Sequence, residues 1–246
     1  MNYTAIFSDL AIMNLIRQIT RSLTHLFFPN VCHGCSSDLV NVQQLLCLQC
    51  LHRLPYTNFH LHGGNPVEKI FWGRLPVMHA AAVFYLTKNS VLQQLLYQLK
   101  YNGKKEVGDY CGRLMGQCIK DTPMGSVDAL VPLPLFPKKE RMRGYNQSTL
   151  LCEGIASVTG VPVWKDVLQR VTTTSTQTRK NRVERWQNME GRFLAAGTAK
   201  LRDRHVLLVD DVITTGATLE ACGSEVVAAG GSLSILTLGY SSSRNV

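Results

Sequence analysis

The sequence predicts an α/β protein: a mostly parallel sheet flanked by helices, preceded by a small N-terminal module held together by four cysteines. From residue 79 onward, short apolar segments alternate with amphipathic segments of helical period, as strands and crossover helices do. Upstream, two Cys-x-x-Cys pairs fall within nineteen positions. We expect two domains, residues 1–60 with an N-terminal helix and the cysteine module, and residues 61–246 with the sheet.

The composition fits a folded protein with anionic partners. Apolar residues make up 45% of the 246 residues, too much for a disordered or collagen-like chain. The formal net charge of +9 favours phosphates, nucleic acid or acidic membrane surfaces. The most apolar N-terminal segment, residues 5–28, contains Asp9, Arg17 and Arg21 and has no cleavage site. We therefore expect no membrane span, no signal peptide and a cytoplasmic protein.

The helices and strands are predicted from the spacing of apolar residues and from the Gly and Pro residues that interrupt it. Residues 4–28 have near-helical apolar spacing and predict a helix that docks on the rest of the chain or lies on a membrane surface. Gly and Pro interrupt residues 55–78, which are predicted as a linker. The predicted strands are 79–86, 127–133, 205–209 and 232–238, and the predicted helices are 91–101, 105–120, 147–158 and 219–229. Ser90 is the predicted N-cap of the helix at residues 91–101.

Residues 206–218 (VLLVDDVITTGAT) carry the strongest functional pattern. An apolar strand leads into Asp210 and Asp211, and a loop rich in Thr and Gly precedes the next helix. Loop amides at a helix N-terminus bind anions, and Gly216 permits close approach or a positive φ. Two carboxylates beside an anion site favour a ligand that also presents hydroxyls or carries a divalent cation, as a ribose 5-phosphate unit does. The alternative is an ordinary strand–turn–helix with two surface acids.

Two basic stretches follow predicted strands. Arg141 and Arg143 precede Gly144 and a predicted helix, where guanidinium groups and helix amides can face one anion. A second stretch, residues 176–193, has arginines at three-residue steps. Residues 138–192 hold eleven Lys or Arg and five Asp or Glu, so they carry +6 of the net charge. This concentration indicates either a solvated helix face or recognition of pyrophosphate.

The four N-terminal cysteines predict a structural zinc site. Four thiolates complete the tetrahedral shell of Zn²⁺ and leave no open position; the ligands would be Cys32, Cys35, Cys47 and Cys50. The competing interpretation is a redox dithiol, and the flanking His33 and His52 could replace a ligand. The other cysteines are predicted to be buried apolar residues on helices: Cys111, Cys118, Cys152 and Cys222.

Two resemblances add to these patterns. Residues 206–218 resemble the phosphoribosyl pyrophosphate signature of type I phosphoribosyltransferases. The resemblance implies that Asp210 and Asp211 hold ribose hydroxyls and that five loop residues cradle the 5-phosphate: Thr214, Thr215, Gly216, Ala217 and Thr218. Nearly the whole chain from residue 29 is similar to the ComF family. Four features carry this resemblance: the cysteine pairs, Leu-Lys-Tyr at 99–101, Arg-Gly-Tyr-Asn-Gln at 143–147 and Gln-x₄-Arg-x₂-Arg-x₂-Asn at 177–188. That family is phosphoribosyltransferase-like and associated with bacterial competence for DNA uptake.

These resemblances imply two alternative functions. The first is an enzyme that binds phosphoribosyl pyrophosphate with Mg²⁺ and transfers the phosphoribosyl group to an unidentified nitrogen acceptor, with Arg143, Gly144 and magnesium at the pyrophosphate. The second is a non-catalytic accessory of DNA uptake that contacts single-stranded DNA or a competence ATPase, with Tyr145 and Trp186 available for base stacking.

Glutamine-dependent amidophosphoribosyl transfer is not expected, because such enzymes carry a glutaminase domain with an N-terminal cysteine, whereas residue 2 is Asn2. The acceptor hood is expected in residues 55–78 or 172–190. The sequence assigns neither a general base nor an oligomeric state.

Overall fold

The computed structural model describes residues 31–38, 44–171 and 192–242. The chain divides into two compact units, Met1–Arg53 and Leu54–Val246. The predicted N-terminal helix, Trp186 and the arginines at 179, 182 and 185 lie outside the described residues.

Eight α-helices and six strands are present in the described residues. The helices are α1 Leu48–His52, α2 Pro66–Phe71, α3 Val91–Tyr101, α4 Lys105–Ile119, α5 Pro137–Arg143, α6 Gln147–Thr159, α7 Thr198–Leu201 and α8 Ala217–Ala228. The strands are β1 Ala80–Tyr85, β2 Ala129–Pro132, β3 Leu168–Val171, β4 Arg192–Ala195, β5 His205–Ile213 and β6 Ser232–Tyr240. Short 3₁₀ turns occupy Phe59–Leu61 and Pro123–Gly125.

The predicted parallel sheet is confirmed. Its four strands lie in the order β1–β6–β5–β2, and every neighbouring pair is parallel. A separate two-stranded antiparallel ribbon joins β3 and β4. Pro132, the last residue of β2, pairs with Val209, so β5 continues for four more residues beyond the end of its neighbour. Polar side chains on this extension therefore lie at the carboxyl edge of the sheet, where open α/β sheets bind ligands.

Helices cover both faces of the sheet. Val206 and Leu208 of β5 belong to one buried cluster together with Cys222 and Val226 of α8. On the opposite face α6 packs against β2 and β5, and α4 packs against α6. Because successive strand residues point to opposite faces, the residues that follow Val209 alternate between these two layers.

The α4–α6 contact depends on glycine. A Cβ atom added to Gly112 would lie 2.3 Å from the carbonyl oxygen of Leu151, and one added to Gly154 would lie 2.3 Å from that of Asp109. The two backbones therefore touch directly. The periodicity analysis predicted both helices but not this seam.

Several boundaries differ from the predictions. The linker prediction for residues 55–78 is wrong in part, because α2 forms there, with the side chain of Asn65 accepting from the N–H of Val67 and Glu68. Helix α5 was not predicted, and it places Arg141 and Arg143 in a last turn that Gly144 ends at φ +81°. None of the helices in the described residues is long and apolar enough to cross a bilayer.

Candidate functional site

The acid pair lies inside β5. Asp210 continues the series of Val206 and Leu208 on the α8 face, and Asp211 lies on the α6 face. The first turn of α6 nevertheless contacts both acids. Gln147 donates from Nε2 to Oδ2 of Asp211 at 3.0 Å, and Ser148 donates from Oγ to Oδ1 of Asp210 at 3.0 Å. The start of α6 therefore spans the end of the sheet and holds the two carboxylates together.

Asn146 fixes that turn to the sheet. Its Oδ1 accepts from the N–H of Ser148 at 3.0 Å, which caps α6, and its Nδ2 donates to the carbonyl oxygen of Leu133 at 2.9 Å. Leu133 directly follows β2, and its N–H donates to the carbonyl oxygen of Val209 at 2.9 Å. Asn146 thus caps α6, and the residues that bond the two acids, Gln147 and Ser148, follow it directly in the first turn of the helix.

Lys100 joins the site from α3. Its Nζ lies 3.0 Å from Oδ2 of Asp211, which is only 5% exposed. Arg143 donates from its guanidinium to Oε1 of Gln147, so a chain of bonds runs from Lys100 through Asp211 and Gln147 to Arg143. In the sequence, Leu-Lys-Tyr was only a family feature. Lys100 was not predicted as a site residue, because it lies on a different helix more than forty residues from Arg143.

The same contacts correct one prediction. Tyr145 is 8% exposed, and its hydroxyl donates to the carbonyl oxygen of Leu99. The prediction that Tyr145 stacks on bases is therefore wrong. The hydroxyl of Tyr145 instead links the end of α3 to the segment that leads into α6.

Its surroundings make Asp210 a weaker acid than an ordinary aspartate. Burial raises the pKa of Asp210, and the negative charge of Asp211 raises it further, to about 7. The backbone N–H of Asp211, the hydroxyl of Ser148 and the ammonium group of Lys100 all act in the opposite direction. The protonation state of the pair therefore changes near neutral pH.

The loop after β5 has the backbone conformation that its sequence predicts. Gly216 is the N-cap of α8 at φ +76°, and an added Cβ would lie 2.5 Å from Cγ2 of Ile70. Glycine is required there by conformation and by space. The other four residues of the predicted phosphate loop are exposed: Thr214, Thr215, Ala217 and Thr218.

Arg74 secures this loop from outside. Its Nη1 donates to the carbonyl oxygens of Ile70 at 3.1 Å and Thr215 at 3.3 Å, and its Nη2 forms an ion pair with Glu220. The pair balances a carboxylate in the first turn of α8 that would otherwise oppose an anion. Nothing in the sequence pattern had singled out Arg74.

The four cysteines of the first unit come together. Their Sγ atoms all lie within 4.8 Å of one another, a spacing that could hold a metal ion. The backbone N–H of Cys47 donates to Sγ of Cys32 at 3.2 Å, and that of Gly34 donates to the same sulfur at 3.4 Å. Burial opposes the thiolate of Cys32, but these amides and that of Cys35 outweigh it and lower its pKa to about 6. The donor set fits a tetrahedral thiolate site.

The remaining cysteines are thiols on helices. Cys111, Cys152 and Cys222 are buried, and Cys118 is partly exposed. Burial raises the pKa of Cys111 to about 12 and raises that of Cys152 well above its ordinary value. These groups pack as small apolar residues.

A family model described as a phosphoribosyl transferase domain matches residues 140–237, which run from α5 to β6 and include the acid pair and the loop. Together with the parallel sheet, this match defines a phosphoribosyltransferase-like protein.

The chain is 28% identical to competence protein F of Haemophilus influenzae over 205 residues, 81% of this chain and 85% of that protein. It is 29% identical to DNA utilization protein YhgH of Escherichia coli over 194 residues, 77% of this chain and 80% of that protein. A shorter match of 133 residues at 25% identity joins it to competence protein ComFC of Bacillus subtilis, over 54% of this chain and 52% of that protein. The chain is therefore similar, over most of its length, to proteins named for competence and for DNA utilization.

Two solved structures are similar at low identity. Adenine phosphoribosyltransferase of Thermoanaerobacter pseudethanolicus aligns at 13% identity and a TM-score of 0.37, over 70% of this chain and 98% of that one. The glutamine phosphoribosylpyrophosphate amidotransferase of Bacillus subtilis aligns at 17% identity and a TM-score of 0.40, over 57% of this chain. The aligned part spans only 30% of that amidotransferase chain.

Proposed function

We propose that this protein binds phosphoribosyl pyrophosphate with Mg²⁺, transfers the phosphoribosyl group to a nitrogen acceptor, and acts in DNA uptake. One observation carries the proposal. An acid pair, of which Asp211 is buried and Asp210 partly buried, is held by the first turn of α6 at the carboxyl edge of the sheet, directly before a glycine-capped loop that opens a helix. Carboxylates accept hydrogen bonds from hydroxyls and loop amides bind phosphate, so the two halves match the two ends of a phosphorylated ribose.

Each group has a distinct role in the transfer. The carboxylates of Asp210 and Asp211 accept hydrogen bonds from the ribose hydroxyls, and the loop of residues 214–218 binds the 5-phosphate. Arg143 lies one hydrogen bond from this cluster. We assign it, with Gly144, to the departing pyrophosphate. Bound magnesium supplies positive charge that neutralises the pyrophosphate.

The reaction breaks the bond between the anomeric carbon and the pyrophosphate oxygen. The lone pair of the acceptor nitrogen forms the new bond to that carbon, and the nitrogen releases its proton to water. The pyrophosphate leaves with the electron pair of the broken bond. Positive charge develops on the sugar in the oxocarbenium-like transition state, and fixed carboxylates beside the sugar stabilise it.

Calorimetry tests binding directly. We expect saturable one-site binding of phosphoribosyl pyrophosphate in the presence of Mg²⁺. Asp211→Asn removes a charge and is expected to lower the affinity at least about tenfold. Asp109→Asn is the matched control, because Asp109 is an exposed carboxylate paired with Arg113 on α4. Absence of saturable binding by the wild-type protein would overturn the proposal.

We propose that Cys32, Cys35, Cys47 and Cys50 bind a structural Zn²⁺. Their four sulfurs are close enough for a shared ion, and backbone amides already stabilise a thiolate at Cys32. Elemental analysis of the purified protein is expected to give one zinc per chain. Another metal, or none, contradicts the assignment.

The names of the relatives favour a second candidate, an accessory role at the DNA itself. One relative is named for competence and the other, YhgH, for DNA utilization. The net charge of +9 suits a polyanion. A mobility-shift titration with single-stranded DNA at several salt concentrations tests this role. Binding that weakens steeply with salt supports it, and the absence of binding at low salt excludes it.

A further inference from the structure

Lys100 contacts the acid pair from a helix that the proposed chemistry does not use. It lies in the last turn of α3, between the buried Leu99 and the exposed Tyr101. The hydroxyl of Tyr145 bonds the carbonyl oxygen of Leu99, so this turn is tied to the segment that leads into α6. The last turn of α3, which carries the lysine, is therefore held by the segment that leads directly into Gln147.

The contacts of Asp211 are asymmetric. Lys100 and Gln147 both bond Oδ2, each at 3.0 Å. In the described part of the chain, no side chain bonds the other oxygen, Oδ1. A carboxylate held at one oxygen by two donors has a fixed plane, and its second oxygen remains an acceptor.

We propose that Lys100 is a positioning residue of the ribose site: with Gln147 it fixes Oδ2 of Asp211, so that Oδ1 accepts a hydroxyl of the bound ribose. This inference rests on the proposed function, because it assigns a residue to the same ligand. Lys100 acts through Asp211 and does not itself touch the sugar.

Charge supports the assignment. Two adjacent carboxylates at a partly dry site repel each other, and Lys100 is the cation whose ammonium group contacts the pair directly. The polar groups that face the pair from α6 are the neutral Gln147 and Ser148. Thiols approach Asp210 from both layers, Cys152 on α6 and Cys222 on α8, and burial keeps both protonated. Without Lys100, no positively charged side chain among the described residues would contact the acid pair and balance its negative charge.

Calorimetry of three variants separates positioning from bulk charge. Lys100→Met is expected to weaken binding of phosphoribosyl pyrophosphate with Mg²⁺ about tenfold. Lys100→Arg keeps the cation and is expected to remain within about threefold of wild type. Lys104→Met removes an exposed ammonium group that pairs with Glu106 at 3.7 Å, and it is expected to leave the affinity unchanged.

A second measurement needs no ligand. Carboxyl ¹³C NMR titration of the free protein reports the pKa of Asp210, which is raised to about 7. Removing the ammonium group of Lys100 is expected to raise it further, and Lys100→Arg is expected to restore it. Retained dispersion in the NMR spectrum shows that the Lys100→Met protein is folded.

The outcomes are distinguishable. If the wild-type protein does not bind phosphoribosyl pyrophosphate, the proposed function fails, and the ribose role of Lys100 fails with it. If the wild type binds and a folded Lys100→Met protein binds equally well, the inference about Lys100 alone is overturned. An unchanged pKa of Asp210 in Lys100→Met also contradicts it, whether or not a ligand binds.

Discussion

Substituting Gly216 by alanine tests how the loop after β5 is built. Two penalties act at this position. Alanine at φ +76° costs about 1–2 kcal/mol, because the left-handed region is unfavourable for residues with a Cβ atom. The new Cβ would also lie 2.5 Å from Cγ2 of Ile70, an overlap that costs about 1–3 kcal/mol more when packing must shift. The sum predicts a loss of about 2–5 kcal/mol in the free energy of unfolding.

Gly160 supplies the matched control. It has φ +74° at the C-terminus of α6, and an added Cβ would meet no atom within 4 Å. Gly160→Ala therefore carries only the conformational penalty, about 1–2 kcal/mol. In urea denaturation followed by circular dichroism, Gly216→Ala should lose more stability than Gly160→Ala.

A double-mutant cycle isolates the overlap itself. Ile70→Ala removes Cγ2, so the combined variant Gly216→Ala/Ile70→Ala should recover about 1–3 kcal/mol relative to the sum of the two single losses. Equal losses at Gly216 and Gly160, or strict additivity with Ile70, would refute the close packing of α2 on this loop.

Three further outcomes follow from the structure. Because the pKa of Asp210 is raised to about 7, the folded protein binds this proton more tightly than the unfolded chain, and the stability it contributes is lost as pH rises from about 4 to 7. Above pH 7, the free energy of unfolding of Asp210→Asn should therefore exceed that of wild type by up to about 4 kcal/mol, and below pH 4 the two should be nearly equal. Denaturation at a series of pH values measures this difference, and a difference that does not change with pH contradicts the prediction. Arg74→Met releases the carbonyl oxygen of Thr215 and should weaken phosphoribosyl pyrophosphate binding about fivefold by calorimetry, whereas Arg113→Met should not change it. Cys47→Ser should lower the zinc content measured by elemental analysis well below one per chain, and full retention of zinc would exclude Cys47 as a ligand.

Helix α3, whose ends are marked by a capping residue and a glycine, was predicted correctly from the sequence. Helix α3 begins after Ser90, whose side chain accepts from the N–H of Gln93, and it ends at Tyr101, two residues before Gly103. Both boundaries were predicted from the cap and the glycine alone. The prediction for β5 ended at Val209 because the apolar run stops there, although pairing with β6 continues to Ile213. An apolar pattern does not indicate where polar residues continue a strand by pairing with a neighbouring one.

The parts of the site that depend on distant contacts were not predictable in the same way. The acid pair and Gly216 were proposed as site residues from the sequence, since strand, acids and loop are contiguous there. Lys100 and Arg74 reach the site from other helices, and a surface lysine or arginine has no local feature that distinguishes it from a solvated one. The place of Gly112 in the α4–α6 seam also depends on a partner helix that periodicity cannot identify.

In the proposed function, the acids and the loop bind the two ends of one phosphorylated sugar. A crystal structure of the protein with phosphoribosyl pyrophosphate and Mg²⁺ would show both contacts at once. We expect the 5-phosphate on the backbone amides of residues 214–218 and the ribose hydroxyls within hydrogen-bond distance of Asp210 and Asp211. A ligand bound elsewhere on the chain, or a sugar that leaves both carboxylates bonded only to protein groups, would contradict it.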